Sequence, residues 1–129
     1  MLSRYQIIRG KRPPHSPLPE GRRVDIRAHV GHVLSPDPKS VRAVLEDGSD
    51  AAFRRYAEHY TAELGARFAR DRAPFDALAA EAERQDVYLG CNCPTKKNPD
   101  VSRCHTVLAL KFMKTKYPKL RVVMPRKGA

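Results

Sequence analysis

At 129 residues and 41 % hydrophobic content, the chain has material for one core and one domain spanning residues 1–129. No apolar run approaches the roughly 20 residues of a membrane-spanning helix, and Met1 to Gly10 lacks a signal-peptide core. A formal net charge of +11 favours anionic partners, and three cysteines are an odd number for a disulfide framework. A soluble protein of the reducing cytoplasm, away from membranes, is therefore expected.

Taken in chain order, Tyr5 to Arg9 predicts a short strand closed by Gly10. Residues 11–21 hold four prolines, each fixing φ and lacking a donor, and so read as a stiff loop. Arg22 to Arg27 alternates polar and apolar residues, a strand pattern. Asp37 and Pro38 start a helix that should run to about Asp47 and stop at Gly48. Asp50 can cap the next helix, whose inner stripe is Phe53, Tyr56, Ala57, Tyr60 and Leu64. A third helix follows Pro74 on Phe75, Leu78, Ala79 and Ala82. Val87 to Cys91 is a buried-strand run, and a loop then leads to Ser102, a plausible cap for a helix through Tyr117. Leu120 to Met124 predicts a last strand, before a basic tail over 125–129. This order predicts an α/β fold, a small, mostly parallel sheet covered by helices.

In such sheets ligands gather at the carboxyl ends of strands, where Arg9, Arg27 and Cys91 are expected. The least ordinary stretch is Cys91-Asn92-Cys93, followed by Cys104-His105. One reading is metal: Cys91, Cys93, Cys104 and His105 are the donor types zinc prefers. The spacing departs from the usual pattern, and neighbours in a helical turn point roughly 100° apart. Zinc is accordingly the alternative to having no cofactor at all.

A second reading is an anion pocket. It places Cys104 in the first turn of a long helix, where free amides favour anions and lower a thiol's pKa. Arg9, Arg27, Lys96 and Arg103 would supply charge to a phosphate-bearing small molecule such as a nucleotide. Cys104 and His105 would be the reactive groups. Asp25 would be a general base, or the ion-pair partner of a nearby arginine. A third reading is packing alone, since free cysteine behaves as a small hydrophobe. Nucleic acid is a further partner consistent with Lys111, Lys114, Lys116 and Lys119, although no base-reading motif accompanies them. The residues name neither a reaction nor an oligomeric state.

Val24-Asp25-Ile26-Arg27, Phe53-Arg54-Arg55-Tyr56, and a late strand and loop with Cys93 and Cys104-His105 before a long helix carry a resemblance. Over roughly Tyr5 to Tyr117 the chain resembles bacterial proteins of the Domain of Unknown Function 488 family. The resemblance implies a compact α/β fold with a pocket where Asp25, Arg27 and Cys104-His105 meet, and it implies no activity. The Cys91-Cys93 pair, the Lys96 to Val101 stretch and the proline-rich loop stand outside the family pattern.

Overall fold

A strand with neighbours on both sides and helices above it must be apolar nearly throughout, and Val87–Cys91 has that composition. In the computed structural model, which describes residues 1–125, this strand is the middle of a three-stranded sheet. The strands are β1 (Leu2–Gln6), β2 (Arg22–Asp25) and β3 (Val87–Cys91), in the order β1-β3-β2. Both outer strands run parallel to β3, with Gln6 opposite Cys91 and Asp25 opposite Gly90. All three carboxyl ends therefore open on one edge.

Four helices accompany the sheet: α1 (Pro38–Asp47), α2 (Asp50–Arg70), α3 (Ala73–Arg84) and α4 (His105–Lys116). The expected small parallel sheet with helical cover is the fold observed. Helix α1 is capped by Asp37, which accepts from the Ser40 amide, and ends at Gly48 in the left-handed region. Ser49, not Asp50, caps α2: its extended backbone turns the hydroxyl onto the Ala52 amide at 3.1 Å. Phe75, Leu78, Ala79 and Ala82 of α3 are buried, as their spacing predicts. They meet Leu64 of α2, Leu110 and Met113 of α4, and Leu2, Val87 and Leu89 of the sheet in one core. Each large side chain buried there contributes about 1.5–3 kcal/mol.

Three expectations need correction. The first strand lies at Leu2–Gln6 rather than Tyr5 to Arg9, because fully buried Leu2 anchors it against Val87. Arg9 consequently sits exposed beyond the strand end. The second strand ends at Asp25, so Arg27 lies in the following loop, although Ile26 still donates to the Gly90 carbonyl at 3.1 Å. Leu120 to Met124 makes one bridge, Val122 to Leu2, instead of a strand. Its ladder bonds all go to Leu2, from whose amide and carbonyl they run to Arg121 and Val123. Of the basic tail, residues 126–129 lie outside the described residues. The proline-rich loop is tied down by Arg12, which donates to the Gln6 and Ser16 carbonyls.

Candidate functional site: a cysteine-histidine cluster at the sheet edge

Parallel register fixes Cys91 at the carboxyl end of the central strand, where the chain leaves the sheet. The loop beyond it is held by side chains from β1. Arg4 donates from Nη2 to the Cys93 carbonyl at 2.6 Å and from Nε to the Thr106 hydroxyl at 2.8 Å. Gln6 donates to the carbonyls of Asn92 and Pro94. Asp100 then accepts from the Ser102 amide, closing a short 3-10 turn over Val101–Arg103. Ser102 is thus not the cap of α4. Cys104 occupies that position, with extended backbone at φ −81° and ψ 143°.

This extended residue changes the geometry of the site. Two residues inside a helical turn diverge, but Cys104 lies just outside the helix and His105 is its first residue. Both side chains turn towards Cys91. The Sγ atoms of Cys91, Cys93 and Cys104 all lie within 4.8 Å of one another. His105 Nδ1 stands 3.9 Å from the sulfurs of both Cys91 and Cys104. Its Nε2 is 2.8 Å from the Ile26 carbonyl, which can only accept, so that nitrogen carries the hydrogen. In the neutral ring the Nδ1 lone pair then faces the sulfurs. Asn98 Nδ2 donates to Cys93 Sγ at 3.2 Å, and Tyr60 meets the imidazole edge-on at 6.0 Å between centroids.

The three thiols are linked to one another by hydrogen bonds. Hydrogen bonds from Cys91 and Cys93 hold the Cys104 thiol well below its ordinary value, against the opposing effect of burial. Cys91 is correspondingly raised, first by its bond to Cys104 and then by that to Cys93, with burial adding to both. Cys93 is raised chiefly by its bond to Cys104. Three thiols this close together are the donor type that soft cations prefer.

The cluster forms the floor of a cavity of about 260 Å³. Arg27 stands at its margin, gripped by Asp25: Nε lies 3.0 Å from Oδ1 and Nη2 2.7 Å from Oδ2. The Arg27 side chain, as hydrogen-bond donor, holds the Asp25 carboxyl below the usual carboxylate range. Asp25 is thereby engaged as a structural partner of Arg27. The remaining guanidinium nitrogen, Nη1, is 3.3 Å from Asn92 Oδ1. Arg27 and Asn92 also line a second recess, which contains Arg9.

Of the other expected ligand residues, Arg103 lines the cavity but bonds to Asp50 and lies over the Phe53 ring at 5.2 Å. Lys96 is exposed on the loop and is not part of the cavity wall. A larger open groove, about 670 Å³, runs past Pro36 and Arg67 and contains no cysteine. Sequence reasoning missed Arg4, Asn98 and the Ile26 carbonyl. Arg4 and Asn98 reach the cluster across 89 and 5 residues of chain, and a backbone carbonyl carries no side-chain signal.

A family model described as the active DUF488-N3 subclade, DUF488-N3a, matches residues 4–117. No curated protein and no solved structure matches the chain.

Proposed function

The chain belongs to the DUF488 family, and from that premise we propose that its cluster holds a soft metal ion of the zinc class. The ion would fix one wall of a cavity for a small ligand bearing a phosphate or similar oxyanion. The observation that carries this reading is the convergence of three sulfurs within 4.8 Å of one another, two of them 3.9 Å from the inner nitrogen of a histidine whose outer nitrogen is bonded to a carbonyl. A carbonyl partner on the far ring nitrogen is the usual support of a metal-bound imidazole, since it fixes both tautomer and orientation. Cys91, Cys93 and Cys104 would give thiolates and His105 Nδ1 the fourth donor, a common tetrahedral set for zinc. Those donors come from the end of β3, the loop and the start of α4, so the ion would tie the loop to both elements. Three thiolates and a divalent cation leave one negative charge, which suits a site flanked by Arg4 and Arg27.

Arg27 supports the ligand half of the reading. Asp25 fixes one edge of its guanidinium, leaving Nη1 with the longer contact to Asn92. An oxyanion that displaced the long Asn92 contact would form a charge-assisted bond with Nη1. Arg9 in the adjoining recess adds positive charge.

Metal analysis of protein purified without a histidine tag tests the first half, with one zinc per chain expected and substoichiometric metal in Cys93→Ser. Calorimetry with inorganic phosphate tests the second: saturable one-to-one binding that weakens at least tenfold, about 1.4 kcal/mol, after chelation. A metal-free protein from zinc-replete cells sinks the metal reading, and a flat phosphate titration sinks the ligand reading.

A further inference from the structure

The cavity has one wall that neither metal nor oxyanion explains. Helix α1 presents Val41, Val44 and Leu45 to it, a stripe at helical spacing, while Lys39, Arg42, Glu46 and Asp47 face solvent. No residue of α1 is fully buried, and neither the sealed core nor its half-buried margin includes one. An amphipathic helix ordinarily spends its apolar stripe on the core. Here the stripe faces a space floored by sulfur and edged by Arg27, with Pro36 and Tyr56 continuing the apolar surface.

We infer that this cavity takes an amphiphilic organic anion, a small apolar body carrying one oxyanion group, and that Val41, Val44 and Leu45 select the body. The inference rests on the oxyanion reading above and narrows it. At about 260 Å³ the cavity lies below the roughly 300–1,000 Å³ of drug-sized sites, which suits a single ring or a short branched chain. A nucleotide fits poorly, because its ribose hydroxyls would face the α1 stripe without hydrogen-bond partners. An apolar body against that stripe buries surface on both sides, while the oxyanion takes the place of Asn92 Oδ1 on Arg27 Nη1.

The test compares three probes by calorimetry on the metal-replete protein: inorganic phosphate, phenyl phosphate and benzyl alcohol. Phenyl phosphate should bind at least tenfold more tightly than inorganic phosphate. That ratio should collapse towards one in Val44→Asn and fall in the isosteric Val44→Thr, which guards against a folding defect in the first variant. Equal affinity of phenyl phosphate and inorganic phosphate overturns the inference while leaving the oxyanion reading standing. A ratio unchanged in both variants also overturns it. Phenyl phosphate and benzyl alcohol binding alike, with the ratio lost in both variants, would keep the apolar wall and remove the oxyanion reading. No binding of any probe removes both.

Discussion

Asp25 shows how one residue can set the reach of another. Its two oxygens hold the Arg27 guanidinium and its Oδ1 also accepts the Arg27 amide at 3.0 Å, so the arginine's reach is set locally. Because the folded carboxyl is held below its unfolded value of about 3.9, its contribution to stability is present above that pH. The contribution is lost as pH falls through the lowered folded value. Both side chains are partly exposed, so the pair contributes about 1 kcal/mol or less. Urea unfolding of the parent and Asp25→Asn should differ by that amount at pH 7 and converge only as pH falls through the lowered folded value. A difference that persists undiminished into acid would show that Asp25 acts through packing instead. The orientation of His105 is likewise set from outside the cluster, by the Ile26 backbone carbonyl that fixes which nitrogen faces the sulfurs.

Among the elements, β1 does more for the site than its sequence announces. Arg4 and Gln6 point from it into the cysteine loop and hold the Asn92, Cys93 and Pro94 carbonyls. Arg4→Met should keep the fold but loosen the Cys93 segment. Zinc affinity, measured by competition with a chelator, should fall about 10–100-fold, as for other outer-shell partners; an unchanged affinity would mean the loop is rigid without the arginine. Strand β3 was legible in full and helix α3 in its inner face, because a continuous apolar run and a helical stripe each have one way to bury themselves. Strand β1 was misplaced because Ile7 and Ile8 look more strand-like than Leu2-Ser3-Arg4, and only pairing with Val87 decides between them. The cluster was legible as a set of residues and not as a geometry. Adjacent Cys104 and His105 converge because a 3-10 turn displaces the helix start by two residues from Ser102, which no local pattern signals.

For the whole molecule, the charge of +11 acts at long range while the cavity acts at contact. Several basic side chains are already engaged: Lys114 donates to the Pro118 and Leu120 carbonyls, and Lys116 lies over Phe68 and Phe112. A one-to-one site at Arg27 should lose less than about tenfold in phenyl phosphate affinity between 50 and 200 mM salt. Polyanion binding through 6–10 phosphates loses roughly 10³–10⁵ over the same range. A comparably steep loss for the small probe would place its binding on the diffuse basic surface. The metal centre is the claim on which the cavity's shape depends, and zinc-edge X-ray absorption of the tag-free protein addresses it directly. The account predicts a first shell of three sulfurs at about 2.3 Å and one nitrogen at about 2.0–2.1 Å. A shell of oxygen and nitrogen alone, or protein without zinc and with all three thiols free, would contradict it.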